Sequence, residues 1–136
     1  MPLQIDRLIA STVEVSQEIT INGQSVGSGS SQNYKVYTAL LTQSGTSAPV
    51  ATVLENTIGD IVWSYGGKTG AYLASIEGGF DNSSTFILFG TINYPINTFI
   101  SSVNDSNQIV IQTFNGVDAS NDLLVFTPFE IRVYNQ

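Results

Sequence analysis

The chain has 136 residues and a net charge of −7, and it contains no histidine, no cysteine and only four basic residues, Arg7, Lys35, Lys68 and Arg132. Without thiols it forms no disulfides, and four scattered cations cannot neutralise many phosphates, so neither nucleic acid nor an anionic membrane surface is an expected partner. Because 42% of the residues are hydrophobic, we expect one ordinary folded domain with a short appendage.

Residues 1–31 differ from the rest of the chain. Their first part carries apolar residues whose spacing fits either an extended arm or a short helix: Leu3, Ile5, Leu8, Ile9, Val13 and Val15. Asn22-Gly23 follows between two alternating flanks and predicts a β-hairpin, since a tight hairpin turn needs positive φ at both central positions. Gly27–Ser31 contains only Gly and Ser and predicts a flexible linker. We therefore place a boundary after Ser31, between an N-terminal arm, hairpin and linker over residues 1–31 and a domain over 32–136.

Two kinds of targeting segment are not expected in this sequence. The N-terminal residues show no long apolar run after a basic start, as a secretory signal would. No apolar run approaches the roughly 18 residues of a membrane-spanning helix.

From Tyr34 onward, short apolar and β-branched runs alternate with clusters of Gly, Asn, Asp and Ser, about every 8–12 residues. The segment 93–97 is predicted as loop, because Pro95 cannot donate to a central ladder. The predicted strands are Tyr34–Gln43, Val50–Leu54, Ile61–Tyr65, Ala71–Ser75, Thr85–Phe89, Thr98–Val103, Gln108–Phe114, Leu123–Phe126 and Phe129–Tyr134.

None of these segments has a helical period, and the strands are short and evenly spaced. This pattern predicts an all-β fold, an antiparallel β-sandwich over residues 32–136 with a jelly roll as one form of it. In the last strand Phe129, Ile131 and Val133 alternate with Glu130 and Arg132, as expected of a strand with one buried face.

The residue types that most enzymes use as bases or nucleophiles are largely missing. A pair of carboxylates could act alone, but the acidic residues are dispersed and mostly lie in turn clusters, where Asp bonds to local backbone. Asp118–Asp122 offers clustered oxygens of the kind that calcium prefers, but such clusters are common on loops without a metal, and a solvated loop is expected here. Gly66–Gly70 contains Gly-Lys-Thr but lacks the rest of a phosphate-binding loop, and is predicted as a hairpin turn. We expect no enzymatic activity, cofactor or metal.

The aromatic residues are the strongest candidates for contacts with other molecules. Trp63 lies in the middle of a strand and is predicted to be in the core. Tyr37, Tyr65 and Tyr134 alternate with apolar neighbours and are predicted to lie on the surface. Together with the six apolar residues of the arm, these three tyrosines form the predicted interface set.

Several segments carry a family resemblance: Tyr37–Gln43 (YTALLTQ), Ala48–Thr57 (APVATVLENT), Ile61–Trp63 (IVW) and Ile131–Tyr134 (IRVY). They resemble small virion structural proteins of tailed phages, of the kind found in phages of Bacteroidota hosts. The resemblance covers residues 34–80 and the last strand, and it contains no catalytic motif. It implies a head fibre, capsid decoration or tail-associated protein located in the virion, with capsid or tail proteins as partners.

Three functional interpretations follow. The first is a non-enzymatic virion protein that docks through residues 1–31 and assembles as a homo-oligomer. Tyr34–Leu41 has apolar residues on both faces, Val36 and Leu40 on one and Tyr37, Ala39 and Leu41 on the other. Such a strand is either central in its sheet or packed against another subunit, and a homotrimer is the favoured assembly. The second is a carbohydrate-binding or adhesive module, such as a receptor-binding fibre tip that contacts a host surface glycan. The third is a small hydrolase with two carboxylates.

Overall fold

The computed structural model describes residues 19–21, 24–26, 32–90 and 97–136. Every regular element within these ranges is a β-strand. The strands are β1 (Ile19–Ile21), β2 (Gln24–Val26), β3 (Tyr34–Thr42), β4 (Val50–Asn56), β5 (Val62–Tyr65), β6 (Ala71–Ser75), β7 (Thr85–Phe89), β8 (Asn97–Asp105), β9 (Gln108–Asn115), β10 (Asp118–Ala119) and β11 (Thr127–Tyr134).

The chain divides into two compact units, Met1–Ser31 and Gln32–Gln136. In the first, β1 and β2 pair antiparallel with Ile21 opposite Gln24, which confirms the hairpin predicted around Asn22-Gly23. The six apolar residues predicted to anchor the arm lie outside the described residues: Leu3, Ile5, Leu8, Ile9, Val13 and Val15.

Two antiparallel sheets pack against each other in the second unit, which confirms the predicted β-sandwich. The first sheet has the strand order β4-β3-β11-β7. In the second sheet β5 pairs with β6 and β6 with β9, while β8 and the short β10 also pair with β9. Three consecutive pairs, β3 with β4, β5 with β6 and β8 with β9, are neighbours in one sheet, whereas other consecutive strands, such as β6 and β7, lie in different sheets. Because most consecutive strands of a jelly roll lie in opposite sheets, these three hairpins distinguish the strand order from that of a jelly roll.

The core lies between the sheets and follows from the period-two alternation of the strands. Tyr37, Ala39 and Leu41 of β3 and Phe129 and Ile131 of β11 are each at most 2% exposed. They meet buried side chains of the second sheet and of two loops: Tyr72, Ala74, Ile109, Ile111, Phe80 and Leu124. Full burial of one large apolar side chain contributes about 1.5–3 kcal/mol, so this cluster is the main stabilising feature of the domain.

An aromatic cluster occupies the centre of this core. Trp63 packs against Phe129 with ring centroids 5.4 Å apart, and Phe89 approaches Phe129 at 5.1 Å. The Trp63 Nε1 group donates a hydrogen bond of 3.1 Å to the Tyr37 hydroxyl. The prediction that Trp63 packs into the core is therefore confirmed. The surface position predicted for Tyr37 is wrong, because this residue shares the inward face of β3 with Ala39 and Leu41.

The hairpin loop Gly66–Gly70 is placed as predicted. The Gly66 amide donates to the Ala71 carbonyl at 2.8 Å, and the Ala71 amide donates to the Lys68 carbonyl at 3.0 Å. These bonds close a turn between the antiparallel strands β5 and β6. The segment is thus a hairpin loop and not a strand-to-helix phosphate loop.

The strand predicted over Leu123–Phe126 is wrong. This segment is irregular, with positive φ at Asp122 (65°) and Phe126 (44°). Leu124 is fully buried and packs into the core from this irregular segment, whereas Val125 is 59% and Phe126 57% exposed. The segment predicted as loop, 93–97, lies outside the described residues except for Asn97, which begins β8.

Candidate interaction surface

A buried glutamine holds several loops together at one end of the sandwich. Gln43 follows β3 and is 5% exposed. Its Oε1 accepts hydrogen bonds from the Tyr72 hydroxyl (2.7 Å) and from the Asp122 amide (3.0 Å), and its Nε2 donates to the Gly45 carbonyl at 2.7 Å. A buried amide with its hydrogen bonds made stabilises the loops that it joins, because losing one partner leaves the other unsatisfied in the protein interior.

The loop after β10 completes this network. Asn121 Oδ1 accepts a hydrogen bond from the Gly70 amide at 2.6 Å, and Asp122 Oδ1 accepts one from the Gly45 amide at 2.6 Å. These are two of the oxygens that were weighed as calcium ligands, and here they bind backbone amides. Among residues 32–90 and 101–136, no group of three or more acidic side chains is placed to hold a metal ion.

The titratable groups with shifted pKa values do not form a catalytic set. Burial raises the pKa of the Tyr37 and Tyr72 hydroxyls. Hydrogen bonds from Ser83 lower the pKa of Asp81, and hydrogen bonds to Tyr134 and Glu130 raise that of Arg132. Each of these four shifts moves the pKa further from neutral, whereas a general acid or base works best with a pKa near the operating pH.

The outer face of the first sheet carries an exposed aromatic and basic patch. We call this the outer patch and define it as Tyr34, Phe86, Leu88, Arg132 and Tyr134. The pairing of β11 with β3 and β7 brings these residues together, with Tyr134 opposite Tyr34 and Arg132 opposite Phe86. The two tyrosine rings lie 5.1 Å apart, and the Arg132 guanidinium lies 5.0 Å from the centre of the Tyr34 ring.

The positive charge of Arg132 in the outer patch is paired with a carboxylate of the same sheet. Arg132 forms a salt bridge with Glu130, and Thr38 donates a hydrogen bond to the other Glu130 oxygen. Phe86 is 50% exposed, Leu88 44% and Tyr134 38%. The face therefore presents apolar area around a neutralised ion pair, which suits contact with another surface.

The other two tyrosines predicted to lie on the surface, Tyr134 and Tyr65, differ in their exposure. Tyr134 lies in the outer patch and is exposed, as predicted. Tyr65 is half-buried, and its ring lies 6.1 Å from that of the buried Tyr72. Tyr65 shares the inward face of β5 with Trp63 and packs against the core, so the surface position predicted for it is wrong.

Shallow grooves border the sheets. One of about 340 Å³ lies beside the outer patch and is lined by Phe86 and Tyr134 together with Ser83, Asn135 and Gln136. A second, of about 530 Å³, is lined by two carboxylates, Asp60 and Glu77, with Val62, Asn107 and Gln108 among the other lining residues. Both carboxylates are exposed, as ordinary surface acids are.

A further apolar surface lies along strand β4, at the end of the first sheet. We call this the β4 edge. Val50 is 69% exposed, Val53 49% and Leu54 63%. Within the described ranges, β3 is the one strand that pairs with β4. Sequence reasoning predicted this strand but not its position, because strand order depends on pairings between distant segments. The apolar residues at both odd and even positions of β4 were the available signal.

Comparison with protein-family models, with curated proteins and with solved structures finds no match to this chain.

None of the elements in the described part of the chain is a helix with the length and apolar character needed to cross a membrane.

Proposed function

We propose that this chain is a non-enzymatic structural protein of a phage virion, a capsid decoration, head fibre or tail-associated component. The observation that carries the proposal is the distribution of apolar surface. A folded sandwich exposes the outer patch and the β4 edge, whereas the acids and bases of the described ranges gather into no catalytic cluster. Large exposed apolar areas are typical of proteins that work in assemblies. The resemblance of residues 34–80 and of the last strand to virion proteins supports the same assignment.

Docking through the N-terminal arm is part of this proposal. The arm has too few apolar residues to form a core of its own, and a Gly/Ser linker separates it from the sandwich. The partners would be capsid or tail proteins. In this arrangement the arm attaches the protein and the sandwich is displayed.

Removing residues 1–31 tests the arm directly. We expect the remaining chain, 32–136, to keep the cooperative melting transition of the full-length protein, because the core cluster of the described residues lies in that range. We also expect its incorporation into virions to fall at least about ten-fold, since anchoring contacts worth about 1.4 kcal/mol or more would be lost. The measurement is the amount of each form in purified particles together with its thermal melting curve.

Virion incorporation and the melting curve test two different parts of the proposal, the anchoring role of the arm and the domain boundary. Normal incorporation of residues 32–136 would show that the arm is not the anchor. Loss of the melting transition would show that the domain boundary after Ser31 is wrong.

Homo-oligomerisation is the second part of the proposal, and the homotrimer remains a prediction. This prediction rests on the apolar residues on both faces of β3. Because β3 is a central strand and Val36 on its outward side is only 4% exposed, packing within one chain explains part of that pattern.

A glycan-binding role is the second candidate, favoured by the groove beside the outer patch. Exposed Phe86 and Tyr134 could stack on a sugar ring, and the amides of Asn135 and Gln136 could bind its hydroxyls. If this role is correct, Tyr134→Ala abolishes binding to host surface polysaccharide while leaving the melting temperature nearly unchanged. Binding that is equal in wild type and Tyr134→Ala would remove this candidate.

A further inference from the structure

The β4 edge is an end of the first sheet, and within the described residues most of its length carries little of the usual protection of an edge strand. Natural edge strands are kept from pairing with other chains by charges, prolines or bulges along their length, or by a covering segment. β4 has no Lys, no Arg and no Pro, and its one charged residue, Glu55, stands near its C-terminal end. Its β-bulge falls at that same end: Thr38 faces Glu55 and Ala39 faces Val53, so Leu54 has no partner on β3 and Val50–Val53 is the regular part of the edge.

Both faces of β4 carry apolar residues that remain exposed. Ala51 and Val53 are the register partners of Leu41 and Ala39, which are buried, so they lie on the core side of the sheet. Val53 is nevertheless 49% exposed, because the second sheet does not cover it. On the opposite face Val50 is 69% exposed. An edge strand that stays exposed to water gains nothing from apolar residues on both faces, so these residues suggest that β4 is covered in an assembly.

The sequence of β4 is complementary to itself when two copies run antiparallel. If Thr52 lies opposite Thr52 of the partner subunit, Ala51 faces Val53 of the partner subunit, and Val50 faces Leu54 of the partner subunit. Each exposed apolar residue is then matched with another. Directly opposed residues of this kind stabilise a sheet, whereas like charges directly opposite destabilise it.

Charge selects the antiparallel two-fold arrangement over an in-register parallel one. Glu55 lies three residues from Thr52, so a two-fold axis at Thr52 places the two Glu55 side chains at opposite ends of the paired region. Parallel in-register pairing would instead set Glu55 beside Glu55 of the partner subunit. Because each chain already carries a net charge of −7, placing two Glu55 side chains next to each other would add to the repulsion between the copies.

We propose that the β4 edge pairs antiparallel with the β4 edge of a second copy of this chain, with Thr52 at the two-fold axis. The contact joins two four-stranded sheets into one continuous sheet and is isologous, so it closes after two copies. It does not depend on the virion role and can be tested on the purified protein. It is an alternative to the homotrimer predicted from β3: a mass of three chains would support that trimer and overturn the β4 contact.

The absence of cysteine allows a direct test of this register. In the full-length protein, Thr52→Cys introduces a single thiol, so any disulfide must join two chains. Opposed residues in antiparallel strands have Cα atoms about 4.5–5.5 Å apart, within the range that a disulfide spans. The matched control is Val117→Cys, a single thiol at a 92% exposed turn position. We expect Thr52→Cys to form the cross-linked dimer at least about ten-fold faster than Val117→Cys under mild oxidation.

A second, independent test compares the masses of the wild type and of Val53→Lys by light scattering. The wild type should have the mass of two chains at micromolar concentration. Val53→Lys should have the mass of one chain with a retained β-sheet circular dichroism spectrum, because a lysine at an edge blocks pairing. The proposal is overturned if the two cysteine variants cross-link at equal rates, if the wild type has the mass of one or three chains, or if Val53→Lys remains a dimer.

Discussion

Replacing Phe129 with alanine should lower the free energy of unfolding by about 3–5 kcal/mol, the usual cost of deleting a buried phenylalanine. The Phe129 side chain is 1% exposed, and the rings of Trp63 and Phe89 pack against it at 5.4 and 5.1 Å. Alanine removes both aromatic contacts and leaves a cavity between the sheets. Since ordinary domains are stable by only about 5–15 kcal/mol, the variant should be close to unfolding at room temperature. The measurement is urea denaturation followed by circular dichroism.

Phe86→Ala is the matched control for this prediction. Phe86 belongs to the same sheet but lies on its outer face and is 50% exposed. Its removal should change the free energy of unfolding by about 1 kcal/mol or less, because little buried area is lost. If the two variants lose similar stability, the assignment of inner and outer faces is wrong.

Gly70→Ala should be strongly destabilising for a different reason. Gly70 has φ +72°, which side chains other than glycine rarely adopt, and a Cβ there would lie 2.5 Å from the Thr113 carbonyl oxygen and 3.0 Å from the Ser120 amide nitrogen. Both are backbone atoms of neighbouring segments and cannot move aside without breaking hydrogen bonds: the Thr113 amide donates to the Gly70 carbonyl, and the Ser120 amide donates to the Thr113 carbonyl. We expect a loss of more than about 3 kcal/mol, the sum of backbone strain and steric displacement.

Gly67→Ala separates the cost of backbone strain from the cost of steric displacement. Gly67 lies in the same loop with φ +76°, but a Cβ there meets nothing within 4 Å. This variant should lose only the strain of the left-handed conformation, about 1–2 kcal/mol. Equal losses in Gly67→Ala and Gly70→Ala, measured by chemical denaturation, would contradict the close packing of the β5–β6 loop against β9 and the following loop.

The parts of the fold that local chemistry determines could be predicted from the sequence. β6 and β7 begin and end at the predicted residues because turn residues border them: Gly70 and Gly78-Gly79 lie around β6, and Asp81–Ser84 and Gly90 lie around β7. The hairpin loop at Gly66–Gly70 was predicted for the same reason. Leu123–Phe126 failed because a short apolar run has the same pattern whether it forms a strand or fills a core from a loop, as Leu124 does.

The positions of side chains in the two sheets were less predictable. In β3 both faces are apolar, so alternation alone cannot say whether Tyr37 or Val36 points between the sheets. The pairing of β3 with β11 and the packing of the second sheet decide that Tyr37 does. The outer patch combines residues from β3, β7 and β11, which are far apart in sequence. Tyr134 was predicted to be exposed, but its neighbours Phe86 and Arg132 could not be found without the strand order.

The proposed role of the chain is tested most directly by locating it in particles. Purified virions from a culture that expresses this chain should contain it in many copies by mass spectrometry, and an antibody against residues 32–136 should label intact particles at regular positions in electron micrographs. The same antibody should not label particles from a deletion strain. Absence of the chain from purified particles, with the protein recovered only in the soluble lysate, would contradict the proposal that it is a structural component of the virion.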